Sequence, residues 1–406
     1  MPTAVMTKPD AAVPSRAELI ARARGLTPLL AANAARTEKE GRIPLEVLEA
    51  VRDAGLLRLT SPKRFGGYQL PFRTVVEVVA ILAEACASTC WVTGYANTAK
   101  WMISLWQEKA QNDVFAGGPD FIIAGSGHKP TDEVKKVEGG YVFSGKWASL
   151  SAVPYSDWVG IWLTLPSENG EPPRVVEALI PASEVTIENT WAVAGMKGTG
   201  SESVVAKDVF VPEHRIMDVS CISDSDFNAY PTPFKDEVLY RGATHPVLAL
   251  AICLTPVGLA QGAVDLAIDK SGRPIAGTTY SAARDSTAFQ LEIAEAAQLA
   301  DTARLHMFRA AEDIDHYAKL GEVMPPVIRA RVRADCGWTV SHACAAIDRI
   351  MTAVGSGAFA DANPLQRMWR DANTAARHGA VNKMLNAELY GAALLGIEVT
   401  TNRLKV

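Results

Sequence analysis

Cysteine is scarce in this 406-residue chain. There are six, Cys86, Cys90, Cys221, Cys253, Cys336 and Cys344, with no CxxC and no paired framework. Several lie in Ala/Leu-rich helical text, which fits buried reduced thiols better than a disulfide scaffold. The seven histidines are scattered, with no HExxH and no Cys/His cluster, so no metal site is expected. No continuous apolar run approaches the ~18 residues of a membrane span. Charge of one sign is lacking too: 40 Lys+Arg against 45 Asp+Glu leaves a net −5. That balance excludes the basic face that nucleic-acid or membrane-surface binding needs. Residues 1–14 lack the basic start and apolar core of a secretory signal, so a frayed tail and a cytoplasmic address are expected.

The common catalytic signatures are missing as well. No GxGxxG occurs; Gly125/Gly127, Gly198/Gly200 and Gly355/Gly357 each lack a third glycine, so no Rossmann site for a nicotinamide is expected. GxSxG is absent, which leaves a serine hydrolase without a nucleophile elbow. Gly140 to Lys146 matches the GxxxxGK skeleton, but Trp147 follows where a metal-binding hydroxyl belongs, and the intervening Tyr-Val-Phe reads as a strand. An oxidoreductase built this way must receive electrons already loaded on another carrier.

What is present divides into three texts. Residues 15–118 have helical periodicity: Ser15 and Glu18 form a capping box, Pro44 and Pro71 stand at helix starts, and Val75 to Leu82 is apolar on most sides. Between 119 and 232 the period becomes two, in short runs such as Tyr141–Phe143, Trp158–Leu163, Val175–Ile180 and Val204–Val211. These predict an antiparallel barrel or sandwich. From 233 to 406 the text is helical again, with breaks at Pro325-Pro326 and Asn363-Pro364, and predicts a bundle.

Four motifs follow one another in a recognisable order. They are Arg64-Phe65-Gly66-Gly67-Tyr68 with the Ala85–Trp91 segment, then Ser144-Gly145-Lys146-Trp147-Ala148-Ser149-Leu150-Ser151 leading to Asp157-Trp158. Gly195-Met196-Lys197-Gly198-Thr199-Gly200-Ser201 with Val209–Glu213 is the third, and Pro364 to Asp371 followed by His378 the fourth. Together they resemble the acyl-CoA dehydrogenase superfamily, specifically its branch of two-component, reduced-flavin-dependent monooxygenases. The resemblance spans about residues 15–396. It implies an N-terminal helical domain, a central β-barrel and a C-terminal four-helix bundle, assembled as a homotetramer and served by a separate NAD(P)H-flavin reductase.

The branch can be argued from chemistry. An acyl-CoA dehydrogenase needs a carboxylate base to take an acidified α-proton. The region where that subfamily carries it, Gly355 to Arg370, holds no Glu here and only Asp361; Glu237 is a weak substitute. The oxygenating branch is therefore the main expectation: reduced FMN, with FAD as the other option, and dioxygen form a C4a-hydroperoxide that hydroxylates a small aromatic or heteroaromatic substrate. A dehydrogenase with tight FAD, and an N-oxygenase of an amine or amino-sugar, are the alternatives.

By the same resemblance Ser151 falls where the family's barrel hydroxyl meets flavin N5. Here the family's Phe-Ala-Ser-Gly reads Ser149-Leu150-Ser151-Ala152, so Ser149 is the competing contact. His378 is the expected proton-handling group, suited by an ordinary pKa near neutrality. Further flavin contacts are expected from Trp147, the Gly198-Thr199-Gly200-Ser201 turn, Arg370, and Arg273 across a subunit interface. Trp91, Asn97, Trp101 and His378 are expected to line the substrate pocket. No histidine lies between 91 and 105, which favours a neutral, indole-like or polycyclic substrate over a phenolate.

Overall fold

Ser15 opens the first helix as the capping box predicts: its hydroxyl accepts the Glu18 N–H at 3.3 Å, and the Glu18 carboxylate accepts the Ser15 N–H at 2.6 Å. In the computed structural model of the chain, which describes residues 13–126, 131–166, 173–223 and 225–397, this helix, α1, runs Arg16–Glu40 and closes on Gly41 at φ 62°. Nearly all of the expected frayed tail lies outside the described residues. Helix α2 (Leu45–Asp53) follows Pro44 and α3 (Phe72–Ala83) follows Pro71. The locked φ of proline presets each entry. Almost all of α3 is buried. Helices α4 (Ala87–Ile103) and α5 (Glu108–Val114) complete the first region.

The period-two text forms eight strands among the described residues: β1 (Ile123–Ser126), β2 (Thr131–Val137), β3 (Gly140–Leu150), β4 (Trp158–Leu165), β5 (Arg174–Pro181), β6 (Thr186–Glu188), β7 (Glu202–Pro212) and β8 (Ile216–Asp218). They make two four-stranded sheets, in the orders β1-β4-β5-β8 and β2-β3-β7-β6. Tyr141, Phe143 and Trp147 of β3 meet Val204, Ala206, Val209 and Val211 of β7 in a core of their own. Every pair is antiparallel except β1–β4. The chain visits the other sheet between those two strands, and such a crossover leaves them pointing the same way.

The remaining helices are α6 (Ser220–Ser223), α7 (Thr244–Asp269), α8 (Thr287–Leu320), α9 (Pro326–Val354), α10 (Pro364–Ala375) and α11 (Lys383–Leu394). Helix α7 is long and apolar enough to cross a membrane by composition, yet 83 % of its most apolar window is buried. It is the core helix, packed on α3, α4, α8 and α9. The six cysteines are unpaired, and all but Cys221 are buried.

Polar contacts tie the three regions together at one place. Arg42, after α1, pairs with the buried Glu202 of β7 at 2.8 Å. Asp371 of α10 accepts the Met196 N–H at 2.5 Å. Arg370 bridges Glu38 of α1 and the Ala194 carbonyl.

Candidate functional site

The end of β3 sets the centre of the site. A register shift between Trp147 and Leu150 turns the strand, and both Ser149 (φ 63°) and Ala152 (φ 70°) adopt the left-handed backbone that glycine favours. Ala152 therefore does the conformational work of the glycine expected after Ser151. The bulge exposes Ser149 and turns Ser151, half-buried, toward the helices.

Ser151 Oγ accepts the indole N–H of Trp91, on α4, at 3.0 Å, and lies 2.8 Å from Ser201 Oγ. Ser201 Oγ is 2.8 Å from Thr199 Oγ1, which donates to the Met196 carbonyl at 2.8 Å. The His378 ring approaches Trp91 with centroids 6.2 Å apart. The structure thus brings together Ser151, Trp91, Thr199, Ser201 and His378, drawn from all three regions. His378 caps the short turn Gly379–Val381 by accepting the Ala380 N–H on Nδ1 at 3.2 Å, which puts the proton of the neutral ring on Nε2.

Other expected residues are placed elsewhere or already engaged. Trp147 is 1 % exposed in the barrel core and donates to the Trp162 carbonyl at 2.9 Å. Trp101 is equally buried, donates to the Leu239 carbonyl at 2.9 Å and packs edge-on against Phe72. Asn97 stitches the 56–60 segment: its oxygen accepts the Leu59 N–H, and its amide donates to the Leu56 and Thr93 carbonyls. Arg370 is spent on Glu38 and Ala194. Arg273 is exposed in the turn between α7 and α8. Gly198 and Gly200 lie in the tight turn that presents Thr199 and Ser201. Glu237, the substitute base, pairs with Arg64, and Asp361 lines an open polar groove of about 1460 Å³ with Glu38, Arg42, Trp191 and Glu202. The serine cluster does not line that groove.

Two residues not singled out in the sequence cover bare glycine backbone near α4. Tyr95 lies one turn beyond Trp91 on α4, and its hydroxyl covers Gly125, where an added Cβ would sit 2.7 Å away. Glu177 of β5 covers Gly160, the register partner of Gly125, at the same 2.7 Å. Side chains here need bare glycine backbone beneath them. Burial pushes the Glu177 carboxyl up to about 7 and raises the Tyr95 phenol further above its usual range, with the Glu177 charge adding to it. The signal was in the text: Val176, Ala178 and Ile180 alternate into the barrel core, so a Glu between them faces the helices.

The donor set fits the edge of a reduced flavin: a hydroxyl at the bulge, an indole bonded to it, and a histidine ring beside that indole. The sheets between two helical regions define the fold of the acyl-CoA dehydrogenases. Residues 23–116 match the acyl-CoA dehydrogenase N-terminal domain and residues 250–383 the C-terminal domain. The oxygenase subunit HsaA, a flavin-dependent monooxygenase of Rhodococcus jostii (strain RHA1), is 32 % identical over 93 % of this chain and 98 % of its own. The oxygenase component of the FADH2-dependent resorcinol hydroxylase of Rhizobium sp. (strain MTP-10005) is 31 % identical over 98 % of this chain and 97 % of its own. The structure of XiaF from Streptomyces sp., in complex with FADH2 and glycerol, superposes with a TM-score of 0.88 at 33 % identity, covering 96 % of this chain and 98 % of that one.

The chain therefore belongs to the acyl-CoA dehydrogenase family. Within it, the chain is the oxygenase component of a two-component monooxygenase that uses reduced flavin from a separate reductase to hydroxylate an aromatic substrate.

Proposed function

We propose that the enzyme hydroxylates a neutral aromatic compound, of fused-ring or indole-like type, that carries an N–H or O–H donor, in a pocket between α4, the end of β3 and the turn at His378. The Trp91–Ser151 hydrogen bond beside His378 is the observation that carries this reading, because it joins a hydroxyl from the barrel, an aromatic wall from α4 and a titratable ring from the last region. Bound reduced flavin supplies the two electrons that activate dioxygen. We take the flavin as FADH2, the form named for two of the relatives, in place of the FMN preferred from sequence.

Ser151 Oγ holds the hydrogen bond at flavin N5. His378 Nε2–H would hold a hydrogen bond to the oxygen being transferred without giving up its proton. Trp91 and Tyr95 supply the aromatic wall, and Glu177 accepts the substrate's donor at the far end. The cytoplasm is the working compartment, consistent with six unpaired thiols. Exposed Leu305 (65 %), Met384 (74 %) and Leu395 (76 %) support burial of the bundle surface in a homotetramer, in which Arg273 reaches a flavin phosphate of a neighbouring subunit.

The test is oxygen consumption with chemically supplied FADH2, scored for hydroxylated product and released hydrogen peroxide over a panel of phenols and indoles. Ser151→Ala is expected to fold normally and to divert turnover to peroxide. His378→Ala is expected to lower hydroxylation ~10²-fold. Unchanged coupling in Ser151→Ala, or full activity in His378→Ala, sinks the assignment of that residue.

A further inference from the structure

The four hydroxyl and indole contacts at the site have a fixed order of donors, and that order follows from the chemistry of the ends. At one end the Met196 carbonyl can only accept, and it takes the single Thr199 hydroxyl proton at 2.8 Å, beside the Thr199 N–H at 3.2 Å, an arrangement that gives the row its largest number of hydrogen bonds. Thr199 must then accept from Ser201, 2.8 Å away. That commits the Ser201 proton, so Ser201 accepts from Ser151 at 2.8 Å. At the other end the Trp91 indole can only donate, and it gives its N–H to Ser151 at 3.0 Å. Every bond in the row points one way, from Trp91 through Ser151, Ser201 and Thr199 to Met196. The far end is anchored: Met196 O also accepts the Trp191 indole N–H at 3.0 Å, and Asp371 accepts the Met196 N–H. Thr199 and Ser201 are 1 % and 3 % exposed, so water does not readily replace a lost partner.

Ser151 Oγ therefore gives away its proton, uses one lone pair on Trp91 and keeps one lone pair for anything else. We infer that Thr199 and Ser201 are positioning residues that fix Ser151 as a hydrogen-bond acceptor, so that the site prefers dihydroflavin, whose N5 carries a proton, to oxidised flavin, whose N5 is a bare acceptor. This rests on the reading that Ser151 meets N5. To bind the oxidised form equally well, Ser151 would have to turn its proton outward. Ser201 could then reverse only if Thr199 turned its proton from Met196 to Ser201, which leaves the row one hydrogen bond short. A component fed by a separate reductase gains from such polarity. It captures the reduced flavin and lets the spent oxidised form leave.

The experiment is an anaerobic titration of the intact protein with FAD and with dithionite-reduced FAD, together with the midpoint potential of the bound flavin. The wild type is expected to bind the reduced form more tightly. Ser201→Ala frees the Ser151 proton and should cut the ratio of oxidised to reduced dissociation constants roughly tenfold, which for two electrons lowers the bound potential by about 30 mV. Thr199→Val removes the acceptor at the far end and should act in the same direction, whereas Thr199→Ser should restore the wild-type ratio. That rescue is not expected of a residue that merely fills space. Thr199→Val also carries the test if Ser201→Ala does not fold.

Equal wild-type affinities overturn the inference. So does an unchanged ratio in Ser201→Ala and Thr199→Val when Ser151→Ala lowers it, and in that case the N5 contact stands without the ordered row. An unchanged ratio in all three variants removes Ser151 from the flavin, and the underlying reading falls with it.

Discussion

Ser149 and Ser151 differ by two positions and by everything that matters chemically. Ser149 is exposed in left-handed backbone at φ 63°, whereas Ser151 is bonded to Trp91 and Ser201. Ser149→Gly should relieve the backbone and raise stability by up to about 1 kcal/mol, with coupling of oxygen to product unchanged. Denaturant unfolding and peroxide release measure the two; a loss of coupling would move the flavin contact to Ser149. Ser151 was legible as a strand-end hydroxyl, because its motif has a fixed place there. Trp147, Trp101 and Asn97 were not, because a sequence shows a donor but not the carbonyl that consumes it. Each donates to a backbone carbonyl inside a core. Tyr95 and Glu177 were hidden for the opposite reason: their significance depends on Gly125 and Gly160 lying side by side in parallel strands, a pairing made across more than thirty residues.

Elements were easier to read than sites, since local chemistry writes their ends. The capping box at Ser15, the prolines at 44, 71, 326 and 364 and the positive-φ glycines at 41 and 321 all fall at helix boundaries. The parallel pairing of β1 with β4 was not legible, because antiparallel and parallel strands share the same alternation. Between elements α7 approaches α3 closely: a Cβ on Gly258 would lie 2.0 Å from the Ala80 carbonyl oxygen and 2.7 Å from the Ala83 Cβ. Both obstacles are helix backbone or its first side-chain atom and cannot swing aside. Gly258→Ala should therefore destabilise by about 3 kcal/mol, read as a lower denaturant midpoint with an unchanged slope. A neutral Gly258→Ala would show that α7 and α3 are not held this tightly.

At the scale of the whole molecule, several titratable groups with shifted pKa make stability depend on pH in a particular direction. Glu177 is raised from 4.5 to about 7 by burial. Asp315 is raised from 3.8 to about 6, again by burial, although it accepts the Phe72 and Arg73 N–H groups that begin α3. Asp371 is raised from 3.8 to about 6 by the same cause, against its bond from Met196. A carboxyl whose folded pKa is raised holds its proton longer in the native state, so stability falls as pH climbs from the ordinary value to the folded one. Each such shift is on the order of 3 kcal/mol, complete by about pH 7.

Glu202 and Asp113 are lowered by hydrogen bonds and by pairing with Arg42, Arg215 and His214. Their contribution is lost only on acidification below the ordinary carboxylate range and leaves this window untouched. Lys100, buried and lowered to about 7, is relieved as pH rises above 7 toward its ordinary value, so it opposes the carboxyls only on the alkaline side. Melting temperature should therefore fall from pH 5 to pH 7 and then level or recover. Glu177→Gln should flatten part of the fall, leaving the protein more stable than the wild type at pH 8 and nearly unchanged at pH 5. Scanning calorimetry across pH 5 to 8 checks both curves. A wild-type melting temperature that stays flat or climbs between pH 5 and 7 would mean that these carboxyls are solvated, and the raised pKa of Glu177 would go with them.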